Sequence, residues 1–333
     1  MKLHEALRIQ LEPIDKEMIN IVKYDADVPR NSPIVRSVTE LIRAGGKRLR
    51  PVMVVVGSRF GPGRPQRKTI RFAAFTEFIH AASLIHDDII DRSAMRRGEP
   101  ALHVKIGVNE AVHVANYMMA RSVELLSEYE GKDNPYIRKL SGVLTTKLCL
   151  GEYQQLNSRF QFDLPLERYL EKTNNKTALL MATCLQVGAS SSGADAQTAD
   201  LLYRFGECVG MAFQIRDDVL DFTASPESLG KPAGSDLQNG NVTLPVLYAL
   251  EDPRLGPRIR SLNAASPLAE FAAAVRLIAG SEAIDRSLQL AESYLQQAEG
   301  MIRKLGRYPA HRDLETLLRY FAAGKPERAR LRQ

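Results

Sequence analysis

The chain has 333 residues, 44% hydrophobic and 25% charged, a balance that supports a folded core and excludes a disordered or low-complexity protein. Its net charge of +6 suits anionic partners of several kinds without choosing among nucleic acid, phosphorylated small molecules and an acidic membrane surface. Three well-separated cysteines form no CxxC pair, which argues against a disulfide framework or a zinc site and for a reduced cytoplasmic location.

Apolar residues recur at steps of three and four through 3–24, 34–59, 67–93, 108–130, 134–158, 166–190, 196–222, 240–251, 265–280, 283–305 and 312–323, and no stretch alternates. The expected fold is therefore all-α. The amino terminus is an amphipathic helix with mixed charge, unlike a signal peptide. No run approaches the ~20 apolar residues needed to span a bilayer, so any membrane contact is expected to be peripheral. Breakers fall at GPGRP (61–65), GKDNP (131–135), SSGAD (191–195), SPESLGKPAGSD (225–236) and EDPRLGP (251–257). None is a linker, and no period repeats, so residues 1–333 read as a single domain. The basic tail GKPERARLRQ reads as a solvated end.

Two segments carry an ordered polar strip on an otherwise apolar helix. In 67–93, Thr76, His80, Ser83, Asp87 and Asp91 are spaced 4, 3, 4 and 4 apart, which at ~100° per residue confines them to a strip about 80° wide. In 196–222, Glu207, Gly210, Gln214, Asp217 and Asp221 do the same. Such strips are expected to line a cavity, and both end in DDxxD: Asp87, Asp88, Asp91 and Asp217, Asp218, Asp221. One acidic helix end is as often a plain surface feature; two, each ending an apolar helix, call for a cation, because uncompensated buried carboxylates cost several kcal/mol each. Neither DDxxD contains cysteine or histidine, and oxygen-only ligands favour magnesium over zinc. Magnesium keeps its waters and takes one or two carboxylates plus phosphate oxygens, which points to a phosphorylated substrate. Basic residues beside breakers fit that substrate: Lys47, Arg48 and Arg50 after Gly45-Gly46, then Arg96-Arg97, Lys176 beside Thr177, and Lys231.

Taken together, GGKRLRP, HAASLIHDDIIDRSAMRRG, GEYQQ, NNKTALL, GMAFQIRDDVLD and LGKPAGSDLQNGNVTLPVLYAL resemble, in order, the motifs of the trans-polyprenyl diphosphate synthases. The resemblance is strongest over 40–250, and SDLQNGNVTLPVLYAL looks most like the catalytic large component of bacterial two-component heptaprenyl diphosphate synthases. It implies an all-α bundle around a deep central cavity (the isoprenoid synthase fold), Mg2+, and condensation of isopentenyl diphosphate with an allylic diphosphate such as farnesyl or geranyl diphosphate. By position it implies metal binding by Asp87, Asp91 and Asp217, with Asp88, Asp218 and Asp221 as further carboxylates of the catalytic set. Lys47, Arg50, His80 and Arg97 would hold isopentenyl diphosphate; Arg96, Lys176, Thr177, Gln214 and Lys231 would hold the allylic diphosphate. Asn241 stands where many members have lysine, so either its amide serves or Lys231 acts alone.

The resemblance also implies a homodimer or a heteromer with a small component, and heptaprenyl, hexaprenyl or octaprenyl products. Product length is expected to depend on residues before Asp87. Ala82 and Ser83 are small, Ile79 is one step deeper, and Phe75 lies about 18 Å down the helix at ~1.5 Å per residue; Phe75, or a residue of 141–157 facing it, is the candidate floor. A terpene cyclase lacks the paired motifs. A silent regulatory subunit would have lost aspartates that this chain retains, and a nucleic-acid partner rests on charge alone and is not expected.

Overall fold

A computed structural model describes residues 2–63, 67–129, 136, 146–225 and 232–323. Among them the only strands are β1 (Met95–Arg96) and β2 (Glu99–Pro100), so the fold is all-α as expected. None of the described helices is long and apolar enough to cross a membrane. Lys231 and part of the 134–158 segment lie outside the described residues.

The chain forms two compact units: residues 1–148, 180–203 and 305–316, and residues 149–179, 204–304 and 317–333. The first holds α1 (Leu3–Ala6), α2 (Glu12–Lys23), α3 (Pro33–Arg43), α4 (Leu49–Ser58), α5 (Arg67–Ile90), α6 (Leu102–Ile106) and α7 (Val108–Ser127). Helix α5 packs against α2, α4 and α7, and Phe72, Phe78 and Ile79 on it are fully buried, as its all-round apolar sequence requires. Arg59 reaches Asp313 at 2.7 Å and the Phe60 ring lies 5.4 Å from Tyr308, which ties 305–316 into this unit.

The second unit holds α8 (Leu148–Asn157) from Cys149 on, α9 (Leu166–Thr173) and a π turn (Asn174–Ala178). Helix α10 (Leu179–Ser191) lies in the first unit from Leu180 on; α11 (Ala196–Thr223) runs from the first unit into the second. Then follow α12 (Ser235–Gln238), α13 (Leu244–Ala249), α14 (Leu255–Arg260), α15 (Leu268–Ala279) and α16 (Glu282–Lys304); α17 (His311–Ala322) belongs to the first unit up to Thr316 and to the second from Leu317. The core of the second unit gathers Tyr169, Ile215, Val219, Leu237, Leu244, Phe271 and Leu295.

Helix boundaries differ from the periodic segments wherever backbone geometry intervenes. The 34–59 segment is two helices, because Gly45 (φ 77°), Gly46 (φ 151°) and Arg48 (φ 50°) take the chain out of helical space. The 3–24 segment breaks at Arg8 (φ 53°), ahead of Pro13. At 191–196 the SSGAD signal holds: Asp195 caps α11 by accepting the Thr198 N–H at 2.7 Å.

Candidate active site

In the first unit, α5 ends on its three aspartates. Asp87 and Asp88 occupy the last turn, Asp91 follows it, and Arg92 at φ 52° turns the chain away. The carboxyl end of a helix is its negative end, so this is an adverse place for carboxylates, typically by 0.3–1 kcal/mol each. Asp217, Asp218 and Asp221 likewise fall in the last two turns of α11, which ends at Thr223. A bound cation would relieve either arrangement.

The members of each motif have separate tasks. Asp88 is buried and receives Arg96 side-on, with Nε 2.9 and 3.0 Å from its two oxygens and Nη2 in a further contact. Asp87 and Asp91 are half-buried and share a face at i and i+4. Because Arg96 lies in β1 and Arg97-Gly98 form the two-residue turn to β2, with φ of 56° and 86°, the adjacent arginines diverge. Arg97 donates to the Gly45 carbonyl, and its guanidinium covers Gly46 so closely that a Cβ there would come within 2.7 Å. Gly46 is therefore glycine for two reasons, space and φ. A non-glycine residue in left-handed backbone costs of order 1–3 kcal/mol and often marks a functional site; Arg48 and Arg97, close enough to repel, are two such residues.

Arg50 stands in the first turn of α4, a helix end suited to anions. His80 lies among Arg50, Arg97, Arg96 and Arg48; burial first, then these positive charges, hold its imidazole well below the ordinary range. It is a neutral hydrogen-bonding group at physiological pH. Lys47 is exposed on the glycine loop. Arg48, grouped with these cations in the sequence, points inward instead: Nε meets Asp15 at 2.9 Å, Nη1 meets Glu77 at 3.1 Å, and Nη2 donates to the Ile42 carbonyl at 2.7 Å.

Further down α5 the strip changes character. Thr76 is fully buried and donates to the Ala73 carbonyl, while Ser83 donates to that of His80. Phe75, Ile79 and Ala82 are buried, with Phe75 in an aromatic cluster 6.3 Å from Phe72 and 6.5 Å from Tyr129.

In the second unit the π turn widens the helix at Asn174–Ala178, a departure frequent at functional sites. Gly210 lies so near it that a Cβ would approach Ala178 Cα to 2.6 Å. Thr177 donates to Gln214 Oε1 at 2.8 Å, and Gln214 Nε2 donates to Asp218 at 2.9 Å. Tyr169 donates to the other Asp218 oxygen at 2.7 Å. Burial, then the nearby Asp236 charge, push the Asp218 carboxyl up to about 7. Lys176 pairs with Glu152 at 2.8 Å, and Asp217 is half-buried. Asp221 accepts from the Ser235 hydroxyl and the Asp236 N–H, both at 3.1 Å, which fixes the start of α12. Asn241 is buried with no hydrogen-bond partner for its side-chain carbonyl.

Sequence reasoning missed Glu77, Tyr169 and Asp236. Glu77 could have been found as the lone acid inside the run FTEFIH. No spacing rule singles out the others. Among the described residues no three or more His, Cys, Asp or Glu side chains converge on a metal position. The donor set nevertheless fits magnesium, which needs one or two carboxylates and leaves its other positions to water and phosphate.

The polyprenyl synthetase family model matches residues 32–276. A heptaprenyl diphosphate synthase component 2 from Geobacillus stearothermophilus is 41% identical over 293 residues, 84% of this chain and 90% of that one. The solved heptaprenyl diphosphate synthase of Staphylococcus aureus superposes with a TM-score of 0.86 at 32% identity, covering 94% of this chain and 96% of the other. A polyprenyl synthase from Caulobacter crescentus, solved with calcium and isoprenyl diphosphate, gives 0.83 at 33% identity over 97% of both chains. The family match over 32–276 and the shared isoprenoid synthase fold show that the chain belongs to the polyprenyl synthetase family and is a prenyltransferase.

Proposed function

We propose that the enzyme joins isopentenyl diphosphate head to tail onto farnesyl, geranyl or another allylic diphosphate, making a medium- to long-chain all-trans polyprenyl diphosphate. Heptaprenyl is the favoured product, supported by the relatives named above. The observation that carries this assignment is the end of α5, where Asp87, Asp88 and Asp91 lie close to the Arg96 guanidinium; in the second unit the acid-ended α11 is tied through Gln214 to Thr177 of the π turn.

Lys47, Arg50, His80 and Arg97 would hold isopentenyl diphosphate; Arg96, Lys176, Thr177 and Gln214, with Lys231, would hold the allylic diphosphate. Asp87, Asp91 and Asp217 would hold magnesium, with Asp88, Asp218 and Asp221 fixing the surrounding side chains. Magnesium, when bound, would offset the charge gathering on the departing diphosphate. Arg96 and Lys176 would stabilise the same charge. As the allylic carbon–oxygen bond breaks, its electron pair leaves with the diphosphate; the double bond of isopentenyl diphosphate attacks the resulting cation. A C–H proton is then lost, with the released diphosphate as the base. The buried apolar wall of Ile79 and Ala82 would keep water from the cation.

Residues 1–333 serve this one reaction as a single catalytic domain. Unpaired Cys149, Cys184 and Cys208 support a reducing, cytoplasmic setting. The name of the Geobacillus relative, component 2, supports assembly with a small second component, against the alternative of a homodimer. The test is to incubate the purified chain with magnesium, isopentenyl diphosphate and farnesyl diphosphate, with and without such a component, and to size the products. Heptaprenyl product that disappears with EDTA is expected. Turnover indifferent to EDTA would remove the metal from the scheme, and absence of elongation in every mixture would overturn the activity.

A further inference from the structure

Glu77 sits in α5 three residues before His80, and nothing in the reaction described above uses it. It is 2% exposed. Burial raises its carboxyl above the ordinary range, and the positive charges of Arg48, Arg50 and Arg97 oppose that rise. One oxygen, Oε1, accepts from Arg48 at 3.1 Å; the other, Oε2, is buried with no hydrogen-bond partner. In the same cluster Arg50 has a buried Nε that likewise lacks one. Leaving a buried donor or acceptor unpaired costs about 1–3 kcal/mol, more for a charged group, so two complementary orphans in one charge cluster are a poised arrangement.

Arg48 is spent elsewhere. Its other bonds go to Asp15, Gly45 and Ile42, so it anchors the glycine loop and leaves Arg50 and Arg97 as the cations that face a ligand from that loop and from the hairpin. Like charges so close repel, and burial pulls the Arg50 and Arg97 guanidinium groups down, while the charge of Glu77 pushes both back up. Glu77 is the acid that both arginines share.

We propose that Glu77 is a positioning residue for the isopentenyl diphosphate subsite, a reading that rests on the roles given to Arg50 and Arg97 above. Held at Oε1 by Arg48, the carboxylate receives Arg50 Nε at Oε2 when a diphosphate binds. That turns the two terminal nitrogens of Arg50 toward the anion as a preorganised fork. Glu77 itself never touches the substrate. Its absence loosens the grip on one substrate and leaves the chemical step and the other substrate alone.

The test compares Glu77→Gln, Glu77→Asp and Arg97→Leu with the unaltered holoenzyme in magnesium, measuring KM for each substrate, kcat and Tm. For Glu77→Gln the expected result is a KM for isopentenyl diphosphate raised about tenfold or more, with the KM for farnesyl diphosphate and kcat within about twofold. Glu77→Asp, which keeps the charge on a shorter arm, should recover part of that loss. Unchanged KM values in Glu77→Gln, or both KM values rising together with a lowered Tm as in a plain packing defect, would overturn the proposal. Should Arg97→Leu leave the KM for isopentenyl diphosphate unmoved, the subsite assignment falls and this proposal with it. An Arg97 effect without a Glu77 effect overturns this proposal alone.

Discussion

At the scale of single residues, the decisive feature is that neighbouring charges in one motif do unlike work. Arg48 and Arg50 differ by two positions, yet Arg48 is 4% exposed and neutralises Glu77 and Asp15, while Arg50 is the one proposed to hold a diphosphate. Replacing Arg48 with Met strands a carboxylate whose side chain is 3% exposed. Removing one partner of a buried pair costs about 3–5 kcal/mol, so urea unfolding should show a loss on that scale, and a loss under about 1 kcal/mol would show that Glu77 finds another partner. Asp218 gives a pH dependence. Its folded value of about 7 lies above the ordinary 3.8, so between those limits the folded state keeps a proton that the unfolded chain gives up. Stability then falls as pH rises from about 4 to about 7, by a few kcal/mol at most. Asp218→Asn stays neutral. In metal-free buffer its Tm advantage over the parent protein should widen from pH 5 to pH 7, and a constant difference would mean the carboxylate ionises with its ordinary value.

At the scale of elements, the hairpin and the π turn do what regular helices cannot. A helix repeats its faces every 3.6 residues, so adjacent arginines diverge by a fixed ~100°; the Arg97-Gly98 turn separates them further, one to Asp88 and one to the glycine loop. The π turn similarly sets Lys176 against Glu152 and Thr177 against Gln214. Deleting Asn174 should restore ordinary helical phase there. We expect the KM for the allylic diphosphate to rise at least tenfold with the far-ultraviolet circular dichroism unchanged; an unaltered KM would show the π turn to be dispensable. On α5, Phe75 is packed by Phe72 and Tyr129 and is proposed to close the chain-length channel. Phe75→Leu removes ring volume with less cavity cost than Ala and should lengthen the product by one isoprene unit or more. An identical product distribution by chromatography would assign Phe75 to packing alone.

At the scale of the whole molecule, the all-α architecture, the two acid-ended helices and most of the charged candidates were legible in the sequence, because 3.6-residue spacing is local and sorts side chains onto faces without knowledge of the partner. The short pieces escaped that logic. The hairpin at 95–100 and the helices at 102–106 and 255–260 are too brief to show a period, and the break at 44–48 depends on left-handed φ values that only Gly45 and Gly46 announce. Sequence alone thus determined which residues carry charge and on which helical face each begins. Tertiary structure decided which charges are consumed internally: Asp88 by Arg96, Asp218 by Tyr169 and Gln214, and Glu77 by Arg48. The reason is physical. A partner many residues away is chosen by burial, where an unpaired charge is costly, and burial is a property of the packed chain that no local spacing encodes.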